Sequence, residues 1–262
     1  GRTTMSDATS RGVLVTGASR GIGRATAIAF AAQGYRVAVH YRSRPDEAER
    51  TLAELDGPGH AVVAGDLSIP DEAKRLVDAA VDAIGPLQVL VNNAAMAPSA
   101  DNSHRIDKAG WDEWRGAWEA MSGTNLLGPA NVTWAFAQQL IARGETGAVV
   151  NVGSRGAFRG EPDHPAYAAT KAALHAFGQS IALALAPHGI AVTSVAPGFT
   201  ATERQERALA GERGDALRGQ SPFGRVGTPE EIADAIVYLA SPAAAWSSGA
   251  ILDLNGASHL RS

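Results

Sequence analysis

The 262-residue chain contains no cysteine. That excludes disulfides, thiol catalysis and thiolate-held metal sites, and it suits a cytosolic protein. No apolar run reaches the length of a membrane span, and the first residues, G-R-T-T-M-S-D-A-T-S-R, lack the apolar centre of a signal peptide. Residues 1–11 therefore read as a loose tail. The 7 histidines are scattered, with no H-E-x-x-H or similar pair, so no metal site is expected. Positive charge is not in excess either: the formal net charge of −4 offers no general attraction to nucleic acid or to an anionic membrane. Internal repeats and low-complexity tracts are also missing. What remains is a globular composition, 45% hydrophobic, in a chain long enough to bury a substantial core.

Chemistry concentrates in V-N-V-G-S-R-G-A-F-R-G-E-P-D-H-P-A-Y-A-A-T-K, residues 150–171. Ser154 closes an apolar run with the character of a buried strand. Tyr167 and Lys171 follow on Pro165 to Ala186, whose alanine and leucine content favours helix, and a spacing of four puts both on one face. A free phenol, with a pKa of about 10, is a poor base at neutral pH, and a neighbouring ammonium favours its phenolate. At about 4 Å and an effective dielectric near 20, that attraction is roughly 4 kcal/mol before desolvation. Tyr167 could then exchange protons near neutrality, with Ser154 holding the oxygen concerned. Taken alone, the same spacing also fits a surface tyrosine and lysine on an ordinary amphipathic helix.

The remaining chain alternates strand and helix. Val13 to Val15 runs into T-G-A-S-R-G-I-G and an alanine-rich helix that Gly34 stops. Gly17, Gly21 and Gly23 allow a sharp turn and let a pyrophosphate approach the helix N-terminus. The second strand, Tyr35 to Tyr41, ends without the acidic residue that would bind ribose hydroxyls. It offers instead His40, Tyr41, Arg42, Ser43 and Arg44, with Arg20 able to face the same spot, and arginines suit a 2′-phosphate. A third strand leads to Asp66, placed either to accept from an adenine amino group or to form a turn, and Ser68 reads as the cap of the next helix. A fourth strand ends in N-N-A-A, residues 92–95. Met96 to Gly110 reads as a loop, and Trp111 to Arg143 as one long helix or two, interrupted near Ser122 to Asn125. Its tryptophans read as packing or interface residues. Strands at residues 148–152, 190–195 and 250–254 complete the series, and Glu203 to Gln220 is charged and helix-compatible. Seven strands alternating with helices predict a single-domain α/β fold over residues 12–262, a doubly wound parallel sheet of the Rossmann kind with its ligands at the carboxyl edge.

Together these blocks resemble the short-chain dehydrogenase/reductase family from Gly12 to Gly256. The match rests on T-G-A-S-R-G-I-G, Asp66-Leu67, N-N-A-A, Asn125, Ser154, Y-A-A-T-K, P-G-F-T-A-T and G-R-V-G-T-P-E-E-I-A, with Tyr167 13 positions after Ser154. The resemblance implies a catalytic set of Asn125, Ser154, Tyr167 and Lys171, in which Asn125 anchors a water chain that refills the proton. It implies cofactor contacts from Gly17, Ser19, Arg20, Gly21, Ile22, Gly23, Tyr41, Arg42, Ser43, Asp66, Leu67, Asn93, Ala94, Ala95, Tyr167, Lys171, Pro197, Gly198, Thr200 and Thr202. Two departures stand out: N-N-A-A replaces N-N-A-G, and Gly256-Ala257 replaces a terminal Gly-Gly. The loop from Met96 is also longer than in simple relatives.

The implied activity is that of an NADP(H)-dependent oxidoreductase moving hydride between nicotinamide and a carbonyl or alcohol, similar to bacterial 3-oxoacyl-thioester reductases. The alternatives are an NAD-linked alcohol or sugar dehydrogenase and a nucleotide-sensing regulator without turnover. The expected partners are a small-molecule substrate and further copies of the chain, in a homotetramer or homodimer built through the long helices. Arg155, Arg159, Arg204 and Arg207 suggest a positive rim for a phosphate- or carboxylate-bearing substrate, unless Glu161, Asp163, Glu203 and Glu206 pair with them.

Overall fold

The computed structural model describes residues 11–203 and 209–262; Arg204, Glu206 and Arg207, and the tail up to Ser10, lie outside the described residues. Seven strands form one parallel sheet: β1 (Gly12–Val15), β2 (Arg36–Tyr41), β3 (Ala61–Ala64), β4 (Leu87–Asn92), β5 (Gly147–Val152), β6 (Ile190–Pro197) and β7 (Ile251–Leu254), in the order β3-β2-β1-β4-β5-β6-β7. The order reverses between β1 and β4, which opens a crevice at the carboxyl edge there.

The strands are short apolar runs because both faces are covered. Val13, Val15, Val37, Val39, Val89 and Val91 pack toward one core with Phe30 of α1 (Gly21–Ala32) and with Ile232 and Ile236 of the helix Pro229–Leu239. Leu14, Ala38 and Leu90 point the other way, toward Leu76 of α3 (Pro70–Ile84) and Phe136 of α5 (Gly128–Arg143). A short α2 (Pro45–Ala53) links β2 to β3. The single-domain α/β architecture predicted from the sequence is therefore the one observed.

Three local features refine the sequence reading. Ser68 does not cap α3; the N-cap is Ile69, ahead of Pro70, and the Ser68 hydroxyl instead donates to Asp66 Oδ1 at 2.6 Å. A serine can satisfy a neighbouring carboxylate as readily as a helix end, and proline at the first helical position removes one N–H that would need a cap. The break in the long helical stretch is a π-helical turn, Gly123–Leu127, between α4 (Trp111–Ser122) and α5; the Gly128 N–H donates to the Gly123 carbonyl. The described part of the charged segment after Glu203 contains one helix, Glu212–Arg218.

Ala257, which stands where the second glycine of a terminal pair was expected, has φ +59°, the one positive value among described non-glycine residues. The left-handed region crowds a Cβ against the following carbonyl, at about 1 to 2 kcal/mol. Ala257→Gly is expected to raise unfolding stability by about 0.5 to 1 kcal/mol, the relief being partly offset by glycine's greater unfolded-state freedom. Urea unfolding would show it as a higher midpoint at unchanged slope.

Candidate active site

Apart from Asn125, which lies in the π turn between α4 and α5, each predicted site residue sits at or just beyond a strand's carboxyl end, or on the helix that follows. After β1 the chain turns through Gly17 and Gly21, both at positive φ, into α1. A Cβ on Gly23 would lie 2.2 Å from the Gly17 carbonyl oxygen, so only glycine lets α1 start this close to the turn. The turn is pinned from two sides. His40, buried at the end of β2, accepts from the Gly17 N–H through Nδ1 at 2.9 Å and holds the Gly65 carbonyl with Nε2 at 2.9 Å. Asn93 donates its side-chain amide to the Thr16 and Gly17 carbonyls, both at 3.0 Å, while Thr16 Oγ1 accepts from the Asn93 and Ala94 N–H groups. His40 thus frames the turn rather than facing a ligand.

Arg20 is the N-cap residue of α1, Arg42 is exposed just past β2, and neither makes an ion pair among the described residues, whereas Arg44 pairs with Glu47 at 2.8 Å. Tyr41 ends β2 and Ser43 follows it. Asp66 holds the Ser68 hydroxyl and N–H, which together with Arg42 lower its carboxyl pKa; its burial works the other way. Leu67, the next residue, is buried. The Gly21 N–H donates to Glu203 Oε2 at 3.2 Å, so a carboxylate already lies where the turn offers donors to an anion. Thr202 lies against Gly21. Thr200 is buried and its hydroxyl donates to the Gly198 carbonyl at 3.2 Å. These groups fit a dinucleotide: a glycine cradle for the pyrophosphate, and two arginines with no acid at the end of β2.

The stretch that carries Ser154, Tyr167 and Lys171 follows β5. Lys171, on α7 (Pro165–Leu185), is 3% exposed and donates to the Val152 carbonyl at 2.7 Å. Its Nζ lies 5.9 Å from the centre of the Tyr167 ring one turn earlier. Burial lowers the Lys171 pKa to about 8, so the ammonium is present at neutral pH and lost above that value. Ser154 follows β5 by two residues, and its Oγ accepts from the Gly156 N–H at 3.0 Å. Asn125, fully buried in the π turn, accepts from the Met96 N–H at 2.8 Å and donates back to the Met96 carbonyl at 3.3 Å.

Two supports were not read from the sequence. His175, one turn beyond Lys171, accepts from the Ser154 N–H at 3.4 Å, and a Cβ on Gly153 would lie 2.0 Å from its Nε2. His104, buried in the loop after β4, accepts from the Ala166 N–H at 3.0 Å and donates through Nδ1 to the Asn102 carbonyl at 2.8 Å. It thereby satisfies an orphan donor at the start of the helix that carries Tyr167. His164 donates to the Ser99 carbonyl at 2.8 Å and Arg105 approaches Asp163 to 3.5 Å, so the whole loop is laced to that helix entry. No spacing rule pairs a loop histidine with a helix 62 residues later. The Gly153 and His175 pair leaves no local signature either.

The family model described as enoyl-(acyl carrier protein) reductase matches residues 17–259, nearly the whole of this layout. The chain belongs to the short-chain dehydrogenase/reductase family. Members of this oxidoreductase family similar to it include the L-rhamnose 1-dehydrogenase (NAD(P)(+)) of a Sphingomonas species, 38% identical over 248 residues that cover 93% of this chain and 94% of that one. The 3-oxoacyl-[acyl-carrier-protein] reductase of Staphylococcus aureus is 34% identical over 254 residues, 96% of this chain and 99% of that one. A crystal structure from Agrobacterium tumefaciens, provisionally assigned as a 2-deoxy-D-gluconate 3-dehydrogenase and holding NADP, superposes with a TM-score of 0.82 at 34% identity, covering 94% of this chain and 95% of that one. The short-chain dehydrogenase/reductase fold and an enzyme of that family are thus established for the chain. No helix among the described residues is long and apolar enough to cross a membrane, and none of their acidic, histidine or cysteine side chains cluster as a metal site.

Two buried histidines make the site sensitive to acid. Burial holds His40 and His175 at a pKa of about 4, against an ordinary 6.5, with Lys171 and Arg261 adding to the effect at His175. Between those values the unfolded chain binds protons that the folded chain refuses, so stability falls as pH drops from 6.5 toward 4. The expected loss is about 2 kcal/mol per histidine by pH 5. Urea unfolding at pH 7, 6 and 5 measures it, and His40→Asn should remove about half of the slope.

Proposed function

We propose that the chain is an NADP(H)-dependent oxidoreductase that moves hydride between the nicotinamide and the carbon of a carbonyl or alcohol substrate. The observation that carries this reading is the buried Lys171 ammonium beneath the Tyr167 ring at the end of β5. When bound, the cofactor supplies or accepts the hydride. The chain's own groups handle the proton. Tyr167 exchanges it with the substrate oxygen, Lys171 makes the phenolate accessible near neutral pH, and Ser154 orients that oxygen. Asn125 anchors the path by which the proton is refilled. Pro197 and Gly198, with Thr200 and Thr202, border the nicotinamide end, while Ser19, Ile22, Leu67 and Ala95 line the dinucleotide crevice.

NADP(H) is favoured over NAD(H) by the missing acid at the end of β2 and by Arg20 and Arg42. The NADP in the Agrobacterium structure supports the same choice. The substrate falls within the classes named for the relatives and the Agrobacterium structure: 3-oxoacyl thioesters, sugars or sugar acids. The Sphingomonas relative, named for both cofactors, keeps an NAD-linked sugar dehydrogenase as the second reading.

The reading includes a cytosolic homotetramer or homodimer. Trp111, Leu127 and Trp134 are large apolar side chains left exposed along α4, the π turn and α5. On α7 the residues packed inward are Ala166, Thr170, Leu174, Gly178 and Ala182. Ala169 and Ala176 are exposed, which leaves small residues available for close helix approach.

Tyr167→Phe is expected to lower kcat by about 100- to 10,000-fold while NADPH still binds, measured by steady-state rates and by fluorescence titration of the cofactor. Near wild-type kcat in that variant would remove Tyr167 from the chemistry. Wild-type kcat/KM should favour NADPH over NADH by about 10- to 100-fold, since a charged hydrogen bond contributes about 1.5 to 3 kcal/mol. Arg42→Ala should erode most of that ratio.

A further inference from the structure

On the side of the carboxyl edge away from the glycine turn lies a cation that the hydride and proton steps leave unused. Arg155 directly follows Ser154 and is 8% exposed. Its backbone N–H donates to the Pro197 carbonyl at 2.9 Å, and its Nη1 donates to Ser258 Oγ at 2.6 Å. The guanidinium therefore reaches from the end of β5 past the end of β6 toward the residues that follow β7. On the reading above Pro197 and Gly198 border the nicotinamide, and the Arg155 side chain runs past them to Ser258, where neither hydride nor proton transfer calls on it.

Among the described residues this cation has no ion-pair partner. Among the described residues no carboxylate lies within 4.0 Å of it, and a guanidinium with five donors is given one neutral hydroxyl. Two acids of the neighbouring segments are engaged elsewhere: Asp163 with Arg105 at 3.5 Å and Asp253 with Arg261 at 2.8 Å. Glu161 adds favourable charge without forming an ion pair. A second cation, Arg159, sits on the same short helix α6 (Gly156–Arg159), reaches Gln220 at 3.4 Å and repels Arg155. Burial, and after it Arg159, lowers the Arg155 pKa. A buried, unpaired cation beside a like charge lowers stability, and groups kept at such a cost belong with binding sites.

We propose that Arg155, backed by Arg159, binds a carboxylate carried by the substrate, which makes that substrate a short hydroxy or oxo acid. The inference rests on the oxidoreductase reading above. Ser154 and Arg155 are consecutive, so a substrate oxygen held at Ser154 and a carboxylate held at Arg155 would both be met from the end of β5. A planar guanidinium matches a carboxylate with two parallel hydrogen bonds. The same position gives no particular advantage to an acyl thioester whose only anion is remote from its carbonyl.

The test compares hydroxy and oxo acids of four to six carbons, aldonic acids included, with their methyl esters and with phosphorylated analogues. Each is assayed with NADP(H) on wild type, Arg155→Gln, Arg155→Lys and, as a distant surface control, Arg115→Gln. The expected result is a kcat/KM at least 10-fold higher for acid than for ester in wild type, arising mainly in KM. That ratio should collapse in Arg155→Gln, survive in part in Arg155→Lys and persist in Arg115→Gln. If Arg155→Gln does not fold, the wild-type acid-to-ester ratio decides, and it should shrink as salt is added. Equal turnover of acids and esters by wild type would overturn the carboxylate site and leave the oxidoreductase reading standing, and so would a preference for the phosphorylated analogue. Retention of activity by Tyr167→Phe would instead overturn the reading beneath it.

Discussion

The hydrogen bond from Lys171 to the Val152 carbonyl is the constraint on which the site depends. It joins α7 to the end of β5 at a fixed height and at the same time satisfies an ammonium taken out of water. A lysine carrying its charge at 3% exposure is costly to bury, and burial is what brings its pKa down to about 8. That position also lets a compact charge act through a low-dielectric path on the neighbouring phenol, where the same charge in water would be screened. Stability and chemistry meet here, because the interaction that docks the helix also sets the electrostatics of the ring above it.

Buried histidines do for the surrounding backbone what Lys171 does for the helix. His40 closes the glycine turn onto β2 and β3, His175 holds the backbone at Ser154, and His104 joins the loop after β4 to the entry of α7. An imidazole offers one donor and one acceptor in a rigid plane, which suits His40 and His104 to bridging two backbone groups each, whereas His175 uses only Nε2. The protein thus uses imidazole rings as backbone cross-links around the sheet's carboxyl edge, in a chain that has no disulfides.

Much of this was legible in the sequence, for reasons that particular residues make plain. Val13 to Val15 and Val89 to Val91 could be read as strands because a sheet covered on both faces needs short unbroken apolar runs. Ser154, Tyr167 and Lys171 could be read because helical spacing and a strand end already imply their juxtaposition. The histidine bridges could not, since their partners lie 21 to 62 residues away and depend on how loops close. The competition between Ser68 as a cap and as a donor to Asp66 turns on a proline whose effect is local but two-sided. Composition flagged the arginines around Ser154; only coordinates show that Asp163 is engaged by Arg105 and that Arg155 is left with a hydroxyl.

The π turn at Gly123–Leu127 gives the long helical arm a history of length. A π turn is an α-helix carrying one additional residue, and here that additional residue allows Asn125 to face Met96 while α5 still presents Val132, Phe136 and Leu140 to the core. Excising a single residue would restore an unbroken α ladder, but everything beyond it would rotate by about 100° and slide by about 1.5 Å. Either the buried asparagine or the core stripe would then point the wrong way. Insertions and deletions are ordinarily absorbed by loops; in this segment the reading frame of the helix is itself fixed, and a one-codon change would be felt at both its ends.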